Sequence, residues 1–215
     1  MDEVKTDASV TVIGDLVGSR RSVDRPAIHA RFEQAVASVN EAYAPPVPLR
    51  IGTGDEFQGI FATLGDAIAA TLRIRLALLP HVDVRQGIGW GRVLVLAEEP
   101  RVEDGPGWWA ARAAVEVLEG YERKAPLRAV RTAYVAADGE PGPSPELVNA
   151  ALMARDQIVS GLSERSMSVL DGLLRGRMQQ VIADDLGISP SAVSQRIRAD
   201  GIGVVLAVDE MVQGL

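Results

Sequence analysis

Residues 50–61 read R-I-G-T-G-D-E-F-Q-G-I-F. Two apolar runs flank a Gly-Thr-Gly-Asp-Glu centre. Gly beside Asp is a strong hairpin signal, because both residues tolerate the positive φ that tight hairpin turns require. The spacing predicts arms over 48–53 and 57–62, with Asp55 and Glu56 at the tip beside the backbone of Gly52 and Gly54. A carboxylate there can hold a hard cation such as Mg²⁺, which prefers oxygen ligands. It can equally serve as a turn cap.

The strands and helices around this hairpin alternate. Residues 9–14, S-V-T-V-I-G, form a short β-branched run that predicts a buried strand ending at Asp15. Residues 16–21, L-V-G-S-R-R, follow as a small-residue loop rich in donors and guanidinium groups. Such a loop suits a phosphate, with Gly18, Ser19 and Arg20 as its contacts. Asp24 and Pro26 mark a helix start, and Ala44-Pro45-Pro46 its end. Ile28, Phe32, Val36 and Val39 lie on one face, and His29 falls off it as a solvated side chain. A second helix spans 64–79. Strands over 82–89 and 92–97 are expected to pair through a Trp90-Gly91 turn. The polar stretch 98–107 reads as a loop, a helix covers 108–121, and the last strand lies within 128–137. This order predicts an α/β (α+β) fold, a ferredoxin-like core extended by one hairpin. The expected layering has antiparallel strands with helices on one face.

Residues 138–145, D-G-E-P-G-P-S-P, have a linker's composition. The predicted domains are therefore 1–138, a connecting segment with a helix over 139–160, and an all-α module over 161–215. That module contains helices at 163–174, 179–186 and 190–199, with Gly187 at the reversal and Ile182, Leu186, Ile188, Val193 and Ile197 as its core. This is the layout of a helix-turn-helix, whose last helix enters the DNA major groove. Ser191, Ser194, Gln195, Arg196 and Arg198 would face DNA, where Gln suits adenine and Arg suits guanine or phosphate. A three-helix bundle used only for dimerisation is the alternative. Asp184, Asp185 and Asp200 offset the arginines.

Composition narrows the classes further. The chain has 215 residues, 47% of them hydrophobic, and a net charge of −7. That is ample for a buried core and argues against a nonspecific nucleic-acid coat, though not against a local DNA-reading module. With no cysteine, there is no disulfide framework, cysteine metal site or cysteine nucleophile. No apolar stretch approaches the roughly 20 residues that cross a bilayer. The acidic start M-D-E-V-K-T-D lacks a signal peptide's layout, so a cytoplasmic location without membrane partners is expected.

Four motifs then carry a resemblance: I-G-D-L-V-G-S-R (13–20), G-D-E-F-Q-G (54–59), G-I-G-W-G (87–91) and D-G-P-G-W-W-A-A-R (104–112). With the C-terminal helix-turn-helix, they make the chain similar to the SatD family, which implies a link to bacterial stress tolerance and no particular reaction. The same motifs, in the same order, distantly resemble the catalytic core of class III nucleotide cyclases. That resemblance implies metal-binding roles for Asp15 and Asp55, a transition-state role for Arg112, and Mg²⁺ or Mn²⁺ as cofactor. It also implies pairing into a homodimer. Two positions depart from the cyclase pattern. Trp108 stands where the cyclase helix has Asn one turn before its Arg. Ile51, beside Arg50, stands nearest the purine-reading Lys. The tryptophans at 108 and 109 suit stacking on a base or, as buried aromatics usually do, core or dimer contacts.

Three functions are carried forward. The first is a DNA-binding transcriptional regulator whose cyclase-like domain senses a nucleotide or phosphorylated small molecule with a divalent metal. The second is a nucleotidyl cyclase or other phosphoryl-transfer enzyme with an appended regulatory module. The third is an adaptor in which both aspartates only cap turns.

Overall fold

The computed structural model describes residues 8–19, 24–52 and 54–214. Its elements, in order, are β1 (Ser9–Val17), α1 (Arg25–Tyr43), β2 (Val47–Ile51), β3 (Glu56–Phe61), α2 (Leu64–Leu78) and β4 (Asp83–Gly91). Then come β5 (Leu94–Glu98), β6 (Arg101–Asp104), α3 (Pro106–Glu122), a 3₁₀ turn, and β7 (Thr132–Ala136). Five helices close the chain: α4 (Pro145–Ser160), α5 (Glu164–Leu174), α6 (Gln179–Leu186), α7 (Pro190–Ala199) and α8 (Ile202–Val212). The protein is a mixed α/β structure.

The five-stranded sheet runs β2-β3-β1-β4-β7. β1 is its middle strand, antiparallel to β3 on one side and to β4 on the other. β7 adds parallel to β4. The predicted hairpin is β2–β3, with Gly54 at φ +79° in its turn.

Three expectations are corrected here. Residues 92–97 do not fold back on β4. The segment pairs instead with β6, inside the stretch read as a loop, and forms a separate two-stranded arm. Trp90-Gly91 is accordingly the end of β4 and not a turn. The cis Glu99-Pro100 bond lies in the arm's own turn. Finally, the sheet is not wholly antiparallel and is covered on both faces. Val10, Val12 and Leu16 of β1 pack with Phe32 and Val36 of α1 and with Leu64 and Ile68 of α2. Ile13, on the opposite face, packs with Trp108, Ala111 and Val115 of α3. A strand apolar on both faces must be covered twice, and S-V-T-V-I-G is such a strand.

Helix boundaries follow local chemistry. Asp24 accepts from the Ala27 amide at 3.1 Å, and Pro26 occupies the first turn of α1. Thr63, Ser163 and Ser189 cap α2, α5 and α7 in the same way. Ala44, at φ 42°, ends α1 ahead of Pro45-Pro46.

The C-terminal helices share apolar packing with the sheet's own helices. Leu72 and Leu76 of α2 pack in one cluster with Val169, Leu170, Ile182, Val193 and Val205. α4 docks on β7. Asn149 brackets the Tyr134 backbone, accepting from its amide at 2.9 Å and donating to its carbonyl at 2.7 Å. The fully buried Asp156 accepts from the Arg131 and Thr132 amides at 2.7 and 2.6 Å. It also pairs with the buried Arg75 and Arg155. The residues read as a connecting helix thus belong to the same packed body as the sheet.

Candidate functional site

One end of β1 gathers the charges. Asp15 lies opposite Glu56 on β3 and opposite Arg85 on β4. Residues directly opposite in an antiparallel ladder share a face. Both lie on the side covered by α3. Arg85 donates to both Asp15 carboxylate oxygens, through Nε at 3.0 Å and Nη2 at 2.6 Å. Its Nη1 reaches Glu122 at 3.2 Å. The hydrogen bonds it donates to Asp15 are the main reason the Arg85 guanidinium titrates above its ordinary value.

A second pair stands beside the first. Arg112 of α3 donates to Glu56 at 2.9 and 3.1 Å. Its guanidinium is also raised, chiefly by that hydrogen bond, with Asp15 among the contributing charges. α3 comes this close because β4 has no side chains in its path. A Cβ on Gly87 would lie 2.3 Å from the Ala111 carbonyl oxygen, and one on Gly89 2.3 Å from that of Gly107. The Thr11 hydroxyl donates to the Gly107 carbonyl at 2.8 Å and pins the start of α3 to β1. The G-I-G-W-G motif is therefore the groove in which the Arg112 helix lies.

Asp55 occupies the hairpin turn, and its backbone carbonyl accepts from the Leu16 amide at 3.3 Å. Its carboxylate accepts from the Ser19 hydroxyl. Gly18, at φ +71°, turns the chain out of β1 and brings Ser19 there. Asp55, Gly54 and Ser19 line an open cavity of about 390 Å³, together with Arg25 and His29 at the start of α1. Asp15 and Asp55 are thus brought to the same end of β1 but hold different partners. Arg20 lies outside the described residues.

The donor set suits a divalent cation in its chemistry, since it offers carboxylate oxygens. Among the described residues no group of three or more His, Asp or Glu side chains gathers at one point. Mg²⁺ does not require such a cage. It is ordinarily held by one or two carboxylates together with substrate phosphates and water.

Glu56 and Arg85 are the residues that sequence reasoning passed over as partners. Alternation along β4 carried the signal: Arg85, Gly87 and Gly89 share the α3 face. His29, read as solvated, is half exposed and lies 3.3 Å from Glu33. Trp108 is buried in the α3 packing, and its indole N–H has no hydrogen-bond partner among the described residues. Trp109 is exposed and donates to Asp104 at 2.7 Å.

The helix-turn-helix candidates divide. Ser191, Gln195 and Arg198 are exposed on α7. Ser194 donates to Gln179 at 2.9 Å. Arg196 turns inward, and its Nη1 donates to Ser166 of α5 at 3.2 Å.

The model of the SatD family matches residues 9–215. The chain belongs to the SatD family. No curated protein sequence matches this SatD chain. Two solved structures, each of a bacterial light-regulated adenylyl cyclase, are similar to it at 16% identity. One has a TM-score of 0.46 over 60% of the SatD chain and 43% of its own length. The other has a TM-score of 0.47 over 60% of the SatD chain and 75% of its own. The SatD chain thus spans less than half of the first of them. Likeness at that level says nothing about activity.

Proposed function

We propose that this SatD protein binds a nucleoside triphosphate with Mg²⁺ or Mn²⁺ at the Asp15 end of the sheet and acts on it by phosphoryl transfer of the nucleotidyl-cyclase type. The observation that carries the reading is the juxtaposition of two carboxylate–guanidinium pairs, Asp15–Arg85 and Glu56–Arg112. Each pair contains one group suited to a cation and one suited to a phosphate. A metal–triphosphate supplies the counter-charges that would let both pairs open. Asp15 and Asp55 are assigned to the metal. Gly18, Ser19, Arg20 and Gly54 are assigned to the phosphates, and Arg112 to the charge that develops during transfer. A divalent ion there neutralises phosphate charge.

In this reading residues 1–138 form a ferredoxin-like, cyclase-type domain, 139–160 connect it, and 161–215 form the helix-turn-helix. The strand order 2-3-1-4 after β-α-β-β-α-β supports the first assignment. Pairing into a homodimer is part of the proposal. It is supported by the exposed apolar residues Leu94, Leu96 and Val102 on the arm, with Trp109 on α3.

Incubation with ATP or GTP and Mn²⁺, followed by chromatography of the products, tests the enzymatic role. Product from the wild type that disappears with Asp55→Ala supports it. No product, or equal product from the variant, argues against it.

A second reading adds DNA. It is supported by the succession of α6, the Gly187 turn at φ +62° and α7, with Gln195 and Arg198 exposed on α7. The nucleotide site would then bias a DNA-reading module, as in a transcriptional regulator. Gel-shift titration against a duplex library at fixed salt tests this: selective retardation supports it, and nonselective or absent binding opposes it.

A further inference from the structure

A second cleft lies away from the Asp15 end of the sheet, where α1, α2 and the end of α5 meet. It is open and measures about 770 Å³, within the range of small-molecule sites. Three guanidinium groups line it: Arg31 from α1, Arg73 from α2 and Arg175 just past α5.

The three differ in how they are held. Arg73 is fixed by two bonds, Nε to the Tyr43 hydroxyl at 2.6 Å and Nη2 to the Leu174 carbonyl at 2.7 Å. It also lies over the Tyr43 ring, 5.8 Å from its centroid. Arg175 shares one edge with Asp171, Nε to Oδ2 at 2.8 Å. Arg31 is exposed and has no ion pair among the described residues. Among the described residues, Asp66 is the one carboxylate that lines the cleft. Val39 and Ala77 give the wall an apolar part.

We propose that this cleft binds a small phosphorylated molecule, independently of the site beside Asp15. Guanidinium forks match phosphate oxygens in pairs. The fixed Arg73 supplies a preorganised anchor, and the freer Arg31 and Arg175 close on the anion from either side. Because Arg73 bonds the last carbonyl of α5, the occupant sits at the junction of the sheet-covering helices with the C-terminal helices. It is therefore placed to stiffen that junction.

The test titrates the full-length protein with sodium pyrophosphate by calorimetry, with EDTA present so that no divalent ion serves the Asp15 end. Wild type binds, and Arg31→Gln and Arg175→Gln each weaken binding roughly tenfold or more. Arg31 is exposed and holds no ion pair among the described residues, so Arg31→Gln leaves the unliganded melting temperature unchanged. Gln34→Glu, which adds a negative charge to the cleft wall, weakens binding without removing any arginine, while Arg112→Gln leaves it intact. No pyrophosphate binding by the wild type would overturn the proposal. So would equal binding by the Arg31→Gln, Arg175→Gln double variant.

Discussion

Arg85 grips Asp15 through two nitrogens, 3.0 and 2.6 Å from the two carboxylate oxygens. That contact begins a line of charges that crosses the molecule. Arg85 reaches Glu122, which pairs with Arg131. Arg131 pairs with Asp83, Asp83 with Arg75, and Arg75 with Asp156. The line runs from the candidate site on β1 to α4, which packs on the far edge strand. Arg75 and Asp156 are buried and Asp83, Arg131 and Glu122 are partly buried, so removing one takes a partner from a charge that has little access to water.

Asp83 bridges two of the arginines. Replacing it with Ala removes its bonds to Arg75 and Arg131, which keep Asp156 and Glu122 as partners. Losing hydrogen bonds to charged groups costs about 1.5–3 kcal/mol. Urea denaturation should show a loss of that order, with the α4–β7 contact among the first to open in hydrogen exchange.

The same residue sets an acid limit. Burial pushes the Asp83 carboxyl up, but the charges and hydrogen bonds of Arg75 and Arg131 outweigh it and hold the group below its ordinary value. A folded value below the unfolded one adds stability above the unfolded value, and this is lost as pH falls through the folded value. Unfolded Asp titrates near pH 3.9. Wild-type stability should therefore fall on acidification below about pH 4, and an Asp83→Asn variant should lose less over that interval. Parallel stability–pH curves for the two proteins would contradict the assignment.

The groove under α3 makes a steric prediction. Gly87→Ala places a methyl group against the Ala111 backbone and the Val115 side chain. Overpacking of this kind costs about 1–3 kcal/mol. Because α3 carries Arg112, the variant should also weaken nucleotide binding, whereas Gly120→Ala, with open space around it, should do neither. Thermal melts and nucleotide titrations of both variants check this.

The arginines of α7 should separate by readout. Arg196→Ala removes a bond to Ser166 of α5 and should lower stability by roughly 1 kcal/mol. Arg198→Ala leaves the packing untouched and should affect only duplex binding, if α7 reads DNA. Equal melting temperatures for the two variants would contradict the inward placement of Arg196.

Much of this was legible in the residues. Capping chemistry placed the start of α1 to the residue, since Asp24 acts locally. The Gly-Asp hairpin was likewise a local signal. Strand pairing was not, because partners are chosen by tertiary packing. Residues 92–97 have the pattern of a strand but pair with 101–104, where a polar sequence hid β6. The double coverage of the sheet follows from small residues on β4, whose packing role appears only once α3 is seen lying on Gly87 and Gly89. Asp15 and Asp55 were visible as acids at the right ends of elements. Their partners Arg85 and Ser19 were not, because those contacts join residues 70 and 36 positions apart.

The central claim is that the paired charges at the end of β1 open to a metal–triphosphate. The most direct measurement is calorimetric titration of the wild type with ATP and GTP, with and without Mn²⁺, repeated on Asp15→Asn and Asp55→Asn. The account predicts binding that requires the metal and weakens at least tenfold in either variant, the order expected when a charged contact is lost. Metal-independent binding, or unchanged affinity in both variants, would contradict it.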